Sequence, residues 1–474
     1  MLTSNLDESF QDEGRRFCGL WPARSANTRA IPFYNILWAE LLASEVTIHY
    51  AAPQTKNTVR AARVSYAVEP QDRSRASIWI DRLLDRAYGQ AQKQKRAKVL
   101  VNPFSGKGSA QKWYSRDVEP ILSAARCSVD MAKTKYRGEA IEIAEGLDIE
   151  AYDTIIACSG DGLPYEIFNG LAKRPDAKRA LEKIAVALVP CGSGNAMSLN
   201  TLGTNSPSLA TLAIIKGIPT PLDLVSITQG DTRTLSFLSQ SVGIVAECDL
   251  GTDNLRWLGP ARFTIGLLVR LLGKTVYPCD IAVKVAIEHK ADIRAHYRRE
   301  AHQRPTIPER RANIHTALGD DDSVSSSGPV DEGLPKLRYG TVNDKLPEDW
   351  ETVPYDNLGN FYCGNMAYMA PDSNFFPATL PNDGYLDLVT IDGDIKRHKS
   401  IDLLLSVENG KFFDKSLVRY RKILGYRIIP KSKGEGYISI DGERVPFQPY
   451  QAEIHRGLGT VLSKSGYIYE APGP

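Results

Sequence analysis

Between Lys98 and Ser226 one unit repeats: a short β-branched apolar run, a turn holding glycine, then a stretch with helical spacing. "AKVLV" runs into "NPFSGKGSA", "SVDMAKT" into "KYRGEAIEIAEGL", "DTIIACSGDG" into "LPYEIFNGLA", and "KIAVALVPCGSGNA" into "MSLNTLG". Strands alternating with helices predict a parallel sheet with helices on both faces. Right-handed crossovers then put every strand-to-helix loop at the same sheet edge. Ligands of open α/β sheets bind at that edge. The separate glycine loops are therefore expected to converge.

The flanks read differently. Residues 1 to about 75 hold strand-like alternation in "TIHYA" and "RVSYAV", and the arginine-rich "SIWIDRLLDRAYGQAQKQKRA" follows with helical character. From about Ile227 the strands lose their interleaved helices, apart from a helical stretch near Phe263 to Lys274, and "FYCGNMAYMA", "YLDLVTI", "ILGYRIIP" and "GYISIDGERV" suggest an antiparallel domain. The expected organisation is a small β-rich module and linker helix over 1–94, an α/β domain over 95–226 and a β-rich domain over 227–474. Within the last, residues 289–348 begin basic, end acidic and serine-rich, and carry few apolar side chains. Such a segment cannot offset its ordering entropy and is expected to be a disordered insertion.

A formal charge of +2 over 474 residues gives no reason to expect a nucleic-acid partner. Seven cysteines lie scattered with no CxxC pair, and the histidines form no HExxH. A disulfide framework or a protein-built transition-metal site is not expected, and a reducing compartment fits best. The polar, acidic N-terminus does not read as a signal peptide, and Leu2 excludes myristoylation. "FTIGLLVRLLGKTVYPC" is broken by Arg270 and Lys274 and is shorter than the ~20 residues of a membrane span.

The chemistry sits in the turns. "NPFSGKG", "SGDG" and "CGSGN" are small and glycine-rich. Glycine lets backbone N–H groups approach a bulky anion, so three such turns at one edge would cradle a polyphosphate. The cradle is neither GxxxxGK[ST] nor a GxGxxG following a strand. Asp161, between Gly160 and Gly162, is a poor phosphate ligand because like charges repel. It could accept the proton of an attacking hydroxyl, or it could cap the helix that Pro164 begins.

"NPFSGKG", "SGDGLPYEIFNGL" and "CGSGNAM", in that order, resemble the diacylglycerol-kinase-type catalytic domain. "LDLVSIT…FLSQSVGIVAECDLGTDNLRWLGPARFTIG", with "DGE" at 441–443, resembles sphingosine and long-chain-base kinases, and the N-terminal module and the insertion resemble extensions of the fungal or plant-type long-chain-base kinases. The resemblance implies a doubly wound α/β nucleotide domain followed by an antiparallel β-sandwich lipid domain. It also implies ATP with Mg²⁺, the metal arriving with the nucleotide rather than on protein ligands. Asn102, Pro103 and Phe104 would line the ATP site, followed by Thr134, Lys135, Tyr136, Arg137 and Gly138, then by Ser159 and Glu166, and by Gly192, Ser193 and Gly194. Asp161 would be the catalytic base, with Ser159, Gly160 and Gly162 beside the substrate. Arg256 and Arg262 would reach the phosphates. Asp441, Gly442 and Glu443 would close the site near Mg²⁺. Asp249 would face the substrate's ammonium. Where the family often has His after the position of Pro164, this chain has Tyr165.

"RFTIGLLVRLLGK" places Phe263, Leu267 and Leu268 at helical spacing with Leu271 and Leu272. This could be an ordinary buried helix, or one wall of an alkyl tunnel as the resemblance implies. A substrate leaving a bilayer gains little from burying its tail again, so the head group must decide. Asp249 would be left unpaired by diacylglycerol but not by a sphingoid base. The expected function is phosphorylation of a sphingoid long-chain base at its primary hydroxyl. The alternatives are a diacylglycerol or ceramide kinase, a catalytically idle lipid-binding protein, and an NAD-kinase-like enzyme with a soluble substrate. A bilayer-resident substrate predicts reversible peripheral binding to a membrane surface from the cytoplasm. The sequence leaves the oligomeric state open.

Overall fold

The computed structural model describes residues 30–251, 276–302, 332–431 and 436–474. Three antiparallel strands open the fold: β1 (Ile36–Leu42), β2 (Glu45–Thr55) and β3 (Thr58–Ala67). Helix α1 (Arg73–Tyr88) follows and buries Ile80, Leu83, Leu84, Ala87 and Tyr88 along one side. The spacing is that of an amphipathic helix, with arginines and aspartates on the other side.

The parallel sheet runs β5 (Ser128–Lys133), β4 (Arg96–Val101), β6 (Thr154–Ser159), β7 (Ala185–Pro190). Side chains alternate between its faces, as the pleat requires. Val99, Val101, Ile156, Cys158, Ala187 and Val189 enter one core, while Leu100, Ile155, Ala157, Val186 and Leu188 enter another. The first core is continuous with Ile36, Leu37, Val46 and Leu84 of the N-terminal module. That module is thus one cover of the sheet rather than a separate body. A buried lysine fixes the joint: Lys216 donates to Ile36 O at 2.5 Å and Ala87 O at 3.0 Å, over the Tyr88 ring. Burial lowers its pKa to about 7.

Helices α2 (Glu139–Glu145), α3 (Gly162–Ala172), α4 (Ala177–Lys183), α5 (Ala196–Leu202) and α6 (Pro207–Ile215) supply the crossovers. Residues 105–124 make a further helical run of short pieces. The sheet changes direction earlier than the sequence reading placed it. Strand β8 (Ile218–Gln229) is antiparallel to β20 (Tyr450–Ser463) from Ile218 onward, so the antiparallel part begins at 218 and not at 227. An apolar β-branched run reads alike whatever the direction of its partner, which explains the displaced boundary.

The antiparallel part contains β9 (Thr232–Ser236), β10 (Ser239–Gly243), β11 (Cys279–Ile287), β12 (Glu351–Tyr355) and β13 (Leu358–Gly364). A small hairpin, β14 (Tyr368–Ala370) with β15 (Ser373–Asn374), leads to β16 (Leu386–Asp392) and β17 (Arg419–Pro430). The hairpin β18 (Ile438–Ile440) and β19 (Glu443–Val445) precedes β20. Three helices punctuate these strands: α7 (Ile244–Gly251), α8 (Lys290–His302) and α9 (Arg397–Glu408). Strand β20 also touches β7 in parallel at Val461–Val186, welding the two parts into one sheet.

The expectation of disorder over 289–348 is corrected where that segment is described. Helix α8 buries Ile293 and His296, and His296 meets the buried Asp383 at 3.1 Å. Residues 338–344 are strapped to the sheet. Glu453 accepts from the Arg338 and Tyr339 N–H groups, and Gln451 and Arg427 donate to carbonyls of Tyr339, Gly340 and Thr341. Order here comes from polar groups about a hundred residues away in the chain, which local composition cannot register. Residues 303–331 lie outside the described residues. The described cysteines form no disulfide, and no described helix is long and apolar enough to cross a membrane.

Candidate active site

The loops after β4, β5, β6 and β7 meet at the C-terminal edge of the parallel sheet and line a cleft of ≈ 1200 Å³. Backbone bonds knit them together: Asn102 N donates to Cys158 O at 3.2 Å and Cys191 N to Ser159 O at 2.7 Å. Two approaches demand glycine. A Cβ on Gly192 would collide with the Gly160 backbone, and one on Gly106, at φ +48°, would collide with Cys191 O. Asn195, a residue the sequence reading passed over, sits at φ 55° and folds the last loop on itself. Its Oδ1 accepts from Gly192 N at 2.8 Å and its Nδ2 donates to Gly192 O at 2.9 Å. An Asn following the glycines was the available signal, since Asn tolerates the left-handed region.

Of the expected residues, Asn102, Phe104, Thr134, Tyr136, Arg137, Ser159 and Glu166 line this cleft. So do Gly160, Asp161, Gly162, Gly192, Ser193 and Gly194, and from the far wall Asp441, Gly442 and Glu443. Pro103, Lys135 and Gly138 are not among the lining residues. Gly138 N donates to Glu166 Oε1 at 3.0 Å, and Lys135 N donates to Glu139. Arg256, Arg262, Phe263, Leu267 and Leu268 lie outside the described residues. Asp249 belongs to α7, and its side chain also lies outside the description.

Asp161 begins α3 but makes no side-chain cap on it. Its carboxylate accepts instead from the first N–H groups of α5, Ala196 at 2.9 Å and Met197 at 3.0 Å. It therefore satisfies orphan donors of the neighbouring helix and locks the glycine loop after β7 to the one after β6. Burial raises its pKa above the usual carboxylate value, while the backbone donors pull the other way. It stays partly accessible from the cleft.

Asp441 has a different environment. It is 3% exposed, at φ 52° in the β18–β19 turn. It accepts from Ser236 Oγ at 2.6 Å and from the N–H groups of Phe237, Leu238 and Ser239 at 2.9, 3.0 and 2.9 Å. Three of these bonds fall on Oδ1 and one, from Phe237 N, on Oδ2, so both oxygens are engaged while Oδ2 keeps an open acceptor site. Desolvation nonetheless pushes its pKa up to about 6. Among the described residues no group of three His, Cys, Asp or Glu side chains converges to hold a metal. Beside it, Glu443 pairs with Arg137 across the cleft. Tyr165 lies near both acids, and its phenol is pushed up to about 12, chiefly by burial.

Beyond Asp161 the lining turns apolar: Leu238, Val245, Cys248 and Leu250, then Tyr362, Met369 and Phe375, then Leu404 and Val407. Gly194 marks the junction, since a Cβ there would stand 3.3 Å from Asp161 Oδ2 and 3.4 Å from Met369 O. Val245, Phe375, Leu404 and Val407 also border an adjoining cavity of ≈ 90 Å³ lined by Ile244, Ile391, Leu403 and Phe412. The sequence reading missed these residues. The signal was "IDLLLSV", whose Leu403, Leu404 and Val407 fall at helical spacing on α9.

Residues 96–227 match the diacylglycerol kinase catalytic domain, and residues 2–89 match a domain of unknown function, DUF7493. Sphingoid long chain base kinase 5 of Saccharomyces cerevisiae is 37% identical over 466 aligned residues, 89% of this chain and 67% of the relative. Sphingoid long chain base kinase 4 of Schizosaccharomyces pombe is 32% identical over 435, 91% of this chain and 88% of the relative. In fold, the chain is similar to a crystal structure of a candidate diacylglycerol kinase from Bacillus anthracis. The TM-score is 0.51 at 18% identity, covering 78% of this chain and 98% of the bacterial one.

Proposed function

The chain belongs to the sphingoid long chain base kinases, and from that premise we propose that its cleft transfers the γ-phosphate of ATP to the primary hydroxyl of a sphingoid base. One observation carries the reading. A single cleft joins the glycine-loop edge to an apolar recess, and Asp161 lies where the two meet.

The loops after β4, β5, β6 and β7 offer the ATP phosphates backbone donors on glycine turns that allow close approach. Arg137 adds positive charge at the rim, and Arg256 and Arg262 are proposed to add more. ATP brings its own Mg²⁺, which partly neutralises the phosphates; the described residues build no cage for it. The alkyl chain lies along Val245, Tyr362, Met369 and Leu404. That places the head group near Asp161, and Asp249 is proposed to pair with its ammonium. The hydroxyl oxygen attacks the γ-phosphorus, the bond to the ADP oxygen breaks, and the hydroxyl proton passes to Asp161. Burial helps here, because a carboxylate with a raised pKa is the stronger base.

The substrate resides in a bilayer, so the protein meets membranes from the side, in the cytoplasm where ATP is supplied. The test is transfer from labelled ATP to a panel of dihydrosphingosine, phytosphingosine, ceramide and diacylglycerol, beside Asp161→Asn. Phosphorylation of the free bases alone, lost in the variant, is expected. Transfer to diacylglycerol or ceramide instead would overturn the substrate assignment.

A further inference from the structure

Helix α9 (Arg397–Glu408) has two uses for its apolar residues. Leu403, Ser406 and Val407 are buried, and Leu404 and Val407 wall the apolar recess. On the opposite side Ile401 is 43% exposed and Leu405 53%. They stand four residues apart and so form one stripe, continued at its N-terminal end by Arg397. The helix is entered through "KRHK", in which Lys396, Arg397, His398 and Lys399 are all exposed. Among the described residues none of these four has an ion-pair partner. Most of the acids around them are engaged, while the exposed Asp394, two residues before Lys396, meets the Asn357 amide at 3.4 Å. Asp392 accepts from the Tyr355 hydroxyl at 2.8 Å, Asp402 pairs with Lys415 at 2.6 Å, and Asp414 pairs with Arg294.

We infer that the outer face of α9, with the basic residues that lead into it, docks on an anionic lipid bilayer and brings the mouth of the apolar recess to the membrane. The proposal rests on the lipid-kinase reading and adds the surface to it. Three features favour a bilayer over a second copy of this chain or another protein. The positive charges are compact and exposed, and each Lys or Arg close to an anionic surface strengthens binding about fivefold. Two aliphatic side chains project from the same helix, enough to enter the headgroup boundary but too few for a stable protein interface. The helix also forms the recess wall, so a base leaving the bilayer along Ile401 and Leu405 passes to Leu404 on the next face of the same helix.

Flotation of the full chain decides it, using phosphatidylcholine vesicles with and without phosphatidylserine. Two variants are compared with the unaltered chain: Lys396→Glu/Arg397→Glu/Lys399→Glu, and Ile401→Ser/Leu405→Ser. The expected result is flotation only with phosphatidylserine, weakened about a hundredfold by the charge reversals and about tenfold by the serines. Phosphorylation of detergent-dispersed base should be unchanged in both variants, and phosphorylation of vesicle-borne base should fall with the flotation. Unaltered flotation of both variants would overturn the proposal, as would equal binding to phosphatidylcholine alone. A dimer that the serine pair converts to monomer in light scattering would also overturn it and give the face to a second copy. Absence of turnover on every base would sink the kinase reading alone, because flotation needs no catalysis.

Discussion

After β6, Asp161 accepts two bonds from the start of a helix and remains partly accessible. In the β18–β19 turn, Asp441 accepts four and is buried. Both are aspartates followed by glycine, and both border the same cleft. A carboxylate with access to the cleft can take a proton from a substrate. One buried and held by three backbone N–H groups and a hydroxyl fixes the wall. Exchanging each for asparagine should separate the two roles. Asp161→Asn is expected to lower kcat by about 10²–10⁴ and, with two N–H donors rather than four bonds at stake, to lower Tm less than Asp441→Asn does. Asp441→Asn turns an amide N–H₂ toward N–H donors and should cost about 3 kcal/mol of stability, seen in urea unfolding, with kcat of the folded fraction nearly kept. A collapse of kcat in a stably folded Asp441→Asn protein would break the distinction.

The same contrast extends to the two halves of the cleft. The apolar half should be tuned by volume and the polar half by backbone approach. Leu404→Trp adds bulk to the recess wall, and kcat/KM for a long-chain base should fall by about tenfold, less for a short-chain analogue. An equal loss for both chain lengths would mean that Leu404 does not touch the tail. Gly192→Ala drives a Cβ into the Gly160 backbone. It should raise the KM for ATP by several-fold while leaving the preference for chain length intact, as initial rates at varied ATP would report.

This contrast also explains what could be read in advance. The polar half comes from consecutive β-turn-α units, so its residues lie in short contiguous stretches with glycines where backbones must touch. Asn102, Asp161 and Gly192 were visible for that reason. The apolar half is assembled from α7, β13, the β14–β15 hairpin and α9, separated by long intervals of sequence. Tyr362, Met369, Phe375 and Leu404 are ordinary core-forming types, and nothing local distinguishes a recess from a packed interior. The strap over 338–344 escaped notice for a related reason, since its partners Glu453 and Gln451 lie in the last strand. That the Asp441 carboxylate faces the N–H groups of residues 237–239 was not legible, because Asp-Gly announces a turn without saying what the carboxylate faces.

The environment of Asp161 sets the acid side of the pH profile. The proton acceptor must be ionised, so the rate falls as pH drops through its folded pKa. Burial raises that pKa, and the inflection in kcat/KM should lie above the ~3.9 of an ordinary aspartate. An inflection at or below that value would mean that the donors on Ala196 and Met197 outweigh burial.

The smallest effect is expected where the two walls touch. Arg137 and Glu443 pair across the cleft, but Arg137 is 77% exposed. Exposed pairs contribute about 0–1 kcal/mol and are screened by salt. Arg137 also stands where the phosphates are proposed to lie, so Glu443 competes with ATP for the same guanidinium. Glu443→Gln should therefore lower the KM for ATP by about twofold, and Arg137→Ala should raise it by about threefold. Both changes should fade at high salt, and neither should shift Tm appreciably. The double variant should match Arg137→Ala alone where the glutamate acts on the nucleotide through the arginine. A double variant that loses much more than either single change would show that Glu443 contacts the nucleotide or its metal directly, and the DGE turn would then be a ligand rather than a clasp.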